Sequence, residues 1–217
     1  MYKVGLIRVL TIEDEGFLNI HGKIIEEAFP EIRVISRCIE DQPKGIYDSE
    51  SEKVAKPKIL RLIKEFETEK VDAVIVSCMA DPAVEEARRH VNIPVIGAGT
   101  SSALLALAIG DRVGVIKIGE ETPQIIRKIL GQHLVAEEKP DNVDTALGLR
   151  EPAGVQASLN ALKKIINRQV DVVIPACTGF STIRFASLAK KITSIPIIDP
   201  VISSGAMTLS ILKQRNF

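Results

Sequence analysis

Cys78 ends the segment VDAVIVSC (71–78), and Cys177 ends the closely similar VDVVIPAC (170–177). Each thiol closes a Val/Ile-rich run that reads as a buried parallel strand, and the carboxyl ends of such strands are where open α/β sheets hold ligands. Two thiols that reach one carbon from opposite sides support a specific chemistry. One, as thiolate, removes a proton, the other, as thiol, donates one to the far face, and the roles exchange in reverse. Such a reaction needs neither metal nor redox cofactor. An unperturbed thiol has a pKa near ~8.5, so the thiolate needs help at neutral pH. Helix starts are expected after both cysteines, at Asp81-Pro82 and at Gly179-Phe180-Ser181, and the positive end of a helix favours a thiolate. No Lys, Arg or His stands beside either cysteine in sequence, so a cationic helper has to come from elsewhere in the fold. Cys38, in IRVISRCI, has no repeat partner and no following turn, and reads as structural.

The elements that position the two thiols are themselves repeated. NIPVIG (92–97) returns as SIPIID (194–199), and KVGLIRV (3–9) returns as RVGVIKI (112–118). Three matches in the same order imply a duplicated architecture. Short apolar runs at 3–10, 32–38, 71–77, 93–97, 112–118, 170–175 and 194–198 suit parallel strands. Amphipathic spacing at Ile20, Ile24 and Ala28, and at Leu159, Leu162 and Ile166, marks helix faces between them. Further helices are expected over 55–68, 82–90, 100–109, 122–131, 181–191 and 201–214. Strand–helix alternation implies parallel sheets with right-handed crossovers. The expectation is two similar three-layer α/β/α domains with parallel sheets, related by a pseudo-two-fold axis. Residues 1–110 with a C-terminal helix of about 201–217 form the first, residues 111–200 the second, and the active-site cleft lies between them. The charged stretch DQPKGIYDSESEK (41–53) reads as a solvated loop.

With these residues in view, the sequence resembles the aspartate/glutamate racemase superfamily, and within it the hydantoin racemases. The resemblance rests on Ala80-Asp81-Pro82 and Glu86-Ala87-Arg88 after the first cysteine, then on Cys177-Thr178-Gly179 and Pro196-Ile197-Ile198-Asp199-Pro200. It runs over essentially the whole chain and is specific in 71–118 and 170–207. It implies cofactor-independent racemisation by a Cys78/Cys177 pair on two similar α/β domains, the C-terminal helix crossing back onto the first. Two departures bear on the substrate. Leu10-Thr11-Ile12-Glu13-Asp14-Glu15 replaces the Asn-Pro-Asn-Thr turn usual in hydantoin racemases. Met79-Ala80 and Thr178-Gly179 replace the Asn-Thr and Thr-His or Thr-Glu that follow the cysteines of amino-acid racemases, which points away from aspartate and glutamate.

Candidate binding groups surround the cysteines. Gly97-Ala98-Gly99-Thr100-Ser101-Ser102 joins a strand to a helix but lacks the third glycine and the later acid of a dinucleotide site. Gly99, Thr100 and Ser101 are instead candidates to hold a carboxylate, imide or enolate oxygen, with plain N-capping as the alternative. Backbone N–H groups of Met79, Thr178 and Gly179 are candidates to stabilise charge developing on the neighbouring carbonyl. Thr11 and Thr122 occupy matching positions after the first strand of each half and are candidate substrate contacts. Asp199 reads as a helix cap. His21, His90 and His133 have no ligand-like spacing, so no metal site is expected.

Composition narrows the field. Lys+Arg and Asp+Glu both number 28, which argues against partners that want a basic surface, nucleic acid and anionic membrane alike. There are six Phe, two Tyr and no Trp, too few aromatics for a stacking platform. The stretch VIGAGTSSALLALAIG is too short and too rich in Gly and Ser to span a bilayer. Three scattered cysteines make no disulfide framework and no leader is evident, so a cytoplasmic location is expected. A small-molecule substrate without cofactor follows, 5-substituted hydantoins being preferred because their ring carbonyls delocalise a carbanion. The alternatives are an Asp/Glu racemase, a malonate decarboxylase or maleate isomerase relative, and a non-catalytic small-molecule binding protein. The apolar run from Ile202 to Leu212 suits a core helix or the contact of a homo-oligomer.

Overall fold

The computed structural model describes residues 1–214; residues 215–217, the end of the expected 201–217 segment, lie outside the described residues. The chain divides into one unit of residues 1–98 with the C-terminal residues from Ser204, and another of Gly99–Ser203. The division falls after Ala98, the first residue of the helix that follows the fourth strand.

The first unit runs β1 (Tyr2–Arg8), α1 (Glu15–Ala28), β2 (Ile32–Cys38), α2 (Ser49–Thr68), β3 (Ala73–Ser77), α3 (Val84–Ala87) and β4 (Val95–Gly97). Its four strands are all parallel, in the order β2-β1-β3-β4. Alternation along the strands feeds two apolar layers. Ile7, Val74 and Val76 pack with Ile59, Ile63 and Phe66 of α2 and with Val84 and Ala87 of α3. Helix α1 lies over β2, where a Cβ on Gly22 would meet Val34 and Ser36. Local signals set the helix ends. Asp14 caps α1 by accepting from Phe17 N–H at 2.6 Å, and Asp48 and Ser51 form a reciprocal capping box for α2.

The second unit runs α4 (Ala98–Leu107), β5 (Val113–Ile116), α5 (Gln124–Leu130), β6 (Leu134–Glu138), α6 (Pro152–Ile166), β7 (Val172–Pro175), α7 (Gly179–Thr182) and α8 (Phe185–Ala189). Helix α9 (Pro200–Gln214) begins here and continues among the residues of the first unit. The second sheet is parallel, in the order β6-β5-β7, and Ile197 adds one parallel bridge to Val173. That order repeats β2-β1-β3 of the first sheet, with the Ile197 bridge in the place of β4.

The repeat extends to individual bonds. Val74 N–H donates to Pro94 O and Val173 N–H to Pro196 O, both at 2.9 Å. Lys3 N–H donates to the Asp72 carboxylate, as Arg112 N–H does to that of Asp171. Gly5 makes room for Phe66 as Gly114 does for Ile165: a Cβ would stand 2.7 Å and 2.5 Å from those side chains. Lys70 and Gln169, before the third strand of each half, both take positive φ.

Several expected elements differ. The run at 194–198 makes a single bridge rather than a strand. β6 was not expected, because LVAEE is a charged edge strand without an apolar run. The charged stretch 41–53 turns helical from Ser49, where α2 begins on its capping box. The helix expected over 82–90 is one turn, α3, entered through Ala83 at φ 61°, and that over 181–191 breaks at Arg184, φ 53°.

Candidate active site

In the first unit, β3 delivers Cys78 to the carboxyl end of the sheet. The backbone turns at once: Cys78 N–H donates to Val76 O at 2.9 Å, and Cys78 O accepts from Asp81 N–H at 3.2 Å. Asp81 holds this turn at φ 51°, with its carboxylate against the backbone of Gly97, where a Cβ would stand 2.2 Å away. Cys78 is half-buried against the layer formed by α2 and α3, and the Met79 side chain is buried. Thr11 lies in the loop after β1. Its hydroxyl accepts from Gln42 N–H at 2.7 Å, and its own N–H donates to Gln42 O. The neighbouring thiol of Cys38 accepts from Ile12 N–H at 3.4 Å and donates to Ile12 O at 3.5 Å, which ties the end of β2 to the loop after β1.

In the second unit, Cys177 follows β7 in the matching position, and its carbonyl accepts from Phe180 N–H at 3.1 Å. Gly179 N–H donates to the Cys177 sulfur at 3.4 Å, the kind of contact that favours an anionic sulfur. Gly179 is closely packed: a Cβ there would stand 3.0 Å from Leu149 and 3.2 Å from Ala146 O. Asp199 is the expected cap: its Oδ1 accepts from Val201 and Ile202 N–H, both at 3.0 Å. The same oxygen accepts from the Ser181 hydroxyl at 2.8 Å, so the start of α9 is tied to α7 just beyond Cys177.

Thr122 is buried, and its hydroxyl donates to Glu137 of β6 at 2.5 Å. Arg127 pairs with the same carboxylate at 2.8 and 3.0 Å. Thr11 thus ties the loop after β1 to the loop after β2, and Thr122 ties the loop after β5 to Glu137 in β6. Lys139 bridges Glu120 at 2.5 Å and Asp144 at 2.8 Å. Its ammonium is held above its ordinary value, first by the hydrogen bond to Asp144 and then by that to Glu120. This links the loops that follow β5 and β6.

Gly99, Thr100 and Ser101 stand in the first turn of α4, not in a loop, because the helix starts at Ala98 directly after β4. Neither Gly97 nor Gly99 takes positive φ. Gly97 is small to admit Asp81, not to make a turn. Thr100 is half-buried, and Gly99 and Ser101 are buried. The structure thus groups Thr11, Cys78 and Met79 at the carboxyl end of the first sheet, and Thr122, Cys177, Thr178 and Gly179 at that of the second. Among the described residues, no three or more His, Cys, Asp or Glu side chains converge as a metal site would require. No helix among them is long and apolar enough to cross a membrane.

A family profile described as Asp/Glu/Hydantoin racemase matches residues 21–205. The chain is 25% identical over 167 residues to a hydantoin racemase of Pseudomonas sp. (strain NS671), covering 74% of this chain and 66% of that protein. It is 25% identical over 178 residues to a hydantoin racemase of Rhizobium meliloti, covering 79% and 73%. Allantoin racemase from Klebsiella pneumoniae superposes with a TM-score of 0.88 over 99% of this chain and 89% of that one, at 19% identity, a likeness of fold. With two parallel-sheet α/β units and a matched cysteine turn in each, the chain belongs to the Asp/Glu/hydantoin racemase family. The relatives named here are racemases, a class of isomerase, and the chain spans just under two thirds of the length of the first.

Proposed function

We propose that the protein is a cofactor-independent racemase of 5-substituted hydantoins, with Cys78 and Cys177 as its acid–base pair. The observation that carries this reading is the duplicated turn: two thiols at equivalent ends of two parallel sheets, each with its carbonyl accepting an N–H three residues on. One thiolate takes the C5 proton, the electron pair passes into the adjacent ring carbonyl as an enolate, and the other thiol returns a proton to the opposite face. The reverse reaction exchanges their roles. Backbone N–H groups after the cysteines, with Thr100 and Ser101, are assigned to the enolate and imide oxygens. The hydantoin assignment draws on the two curated relatives named as hydantoin racemases. The fold neighbour named as an allantoin racemase fits it as well, since allantoin is itself a 5-substituted hydantoin.

The test is proton NMR in D₂O on enantiopure 5-substituted hydantoins, with aspartate and glutamate in parallel and a no-enzyme control for each. Enzyme-dependent C–H exchange with loss of optical rotation, abolished by Cys78→Ser and by Cys177→Ser, is expected. Activity surviving either substitution in full would overturn the two-thiol assignment. Exchange on amino acids alone would overturn the substrate class.

A further inference from the structure

Directly before Cys78 the fold buries a polar pair. Ser77, the last residue of β3, and His21 of α1 are both buried, and His21 Nδ1 lies 2.9 Å from Ser77 Oγ. Helix α1, which presents the imidazole, is clamped to the end of β1. The buried guanidinium of Arg8, in register with Ser77, donates to Phe17 O at 2.7 Å and to Leu18 O at 3.3 Å, and lies 4.9 Å from the Phe17 ring centre.

The other half of the molecule shows that the scaffold does not require this pair. Helix α1 begins at Glu15 and α5 at Gln124, the same separation as between the β1 and β5 motifs, so His21 corresponds to Leu130. Ser77 corresponds to Ala176, one residue before the other cysteine. Leu130 and Ala176 are both buried. One packing position is therefore apolar behind Cys177 and polar behind Cys78. A buried hydroxyl–imidazole pair has to offset its own desolvation, which an apolar pair avoids, so folding alone does not account for it.

We propose that His21 is a positioning residue for Cys78, acting through its hydrogen bond to Ser77. The chain reverses immediately beyond Ser77, through the three-residue turn closed by Cys78 N–H and Val76 O. Holding Ser77 fixes the base of that turn, and with it the direction of the Cys78 side chain. Behind Cys177 the matching positions are the apolar Leu130 and Ala176, so the two thiols are not held alike. The role given to Cys78 rests on the two-thiol reading above; the support of its turn does not depend on the substrate.

The test reads each thiol separately. Iodoacetamide alkylation of each cysteine is followed by peptide mass spectrometry, without substrate, in wild type, Ser77→Ala, His21→Leu and His21→Asn. Steady-state rates on whichever compound is turned over are measured alongside. Ser77→Ala and His21→Leu are expected to change the Cys78 alkylation rate by about threefold or more, and to lower kcat about tenfold with KM nearly unchanged, as misplacement of a reacting group does. The Cys177 rate stays as in wild type. His21→Asn, whose amide reaches the Nδ1 position, recovers most of both effects. An unchanged Cys78 rate in Ser77→Ala, an equal change at Cys177, or Asn failing as badly as Leu would overturn the proposal. Ser77→Ala copies the buried Ala176 and decides the matter should His21→Leu not fold. Because alkylation needs no substrate, absence of hydantoin turnover would count against the function proposed above and leave this test readable.

Discussion

Gly97→Ala tests whether the Cys78 turn is held by close packing rather than by its own sequence. Gly97 pairs with Val76 at the end of β4, and an added Cβ would stand 2.2 Å from the Asp81 carboxylate. Ordinary contact begins at 3.4 Å, so Asp81 must withdraw by about 1.2 Å. Its backbone is part of the cysteine turn, with its N–H bonded to Cys78 O and φ at 51°, so whatever displacement the side chain does not absorb passes to the cysteine. A misplacement of about 1 Å costs roughly 100-fold in rate, equivalent to about 2.7 kcal/mol of transition-state stabilisation. Overpacking itself costs about 1–3 kcal/mol, a fall in Tm of roughly 2–12 °C at this chain length. The assay is C–H exchange in D₂O beside thermal unfolding, with Gly5→Ala as control. There the new Cβ meets the Phe66 ring at 2.7 Å, away from the turn, so Tm should fall while the exchange rate stays near wild type. Adding Asp81→Gly to Gly97→Ala removes the clash and suits the positive φ, and should restore part of the rate. Gly97→Ala with wild-type exchange, or Gly5→Ala losing as much activity, would refute the reasoning.

Three further outcomes are expected. Asp199→Ala removes the acceptor shared by Val201, Ile202 and Ser181; it should cost about 1–2 kcal/mol as a lost helix cap, read by urea unfolding, and slow exchange by loosening the segment after Cys177. Thr122→Val leaves Glu137 without its hydroxyl donor and should cost about 1–2 kcal/mol; a wild-type urea midpoint would show the bond to be dispensable. The Asp48 carboxyl is held below its ordinary value by its side-chain hydrogen bond to Ser51, then by the Ser51 backbone N–H. A carboxyl depressed in the folded state stabilises above its unfolded pKa and loses that contribution as pH falls through the folded one. Asp48→Ala should therefore unfold more readily than wild type at pH 7, and the gap should narrow as pH falls through the acid range where the carboxyl takes up its proton; a gap that does not narrow in acid would argue against the carboxylate as the source.

Much of the framework was readable because it is repeated. The strands β1, β3, β5 and β7 are continuous apolar runs, and the duplication of KVGLIRV and VDAVIVSC announces two equivalent sheets before any contact is known. The cysteine turns were readable for the same reason, as was the cap at Asp199. β6 escaped because an edge strand carrying two glutamates has no apolar signature. The start of α2 escaped because charge at 48–52 looks alike in a loop and in a capping box.

Apolar periodicity and repetition, both properties of the chain, were enough to place the parallel α/β halves and the equivalent positions of Cys78 and Cys177 within them. Tertiary structure decided what each polar side chain is used for. It committed the Thr11 hydroxyl to Gln42 and the Thr122 hydroxyl to Glu137, made Gly97 a space for Asp81, and set His21 against Ser77. The reason is physical: a buried donor or acceptor must find a partner wherever the fold brings one, and that partner, 31 residues away for Thr11 and 56 for His21, leaves no mark in the local sequence.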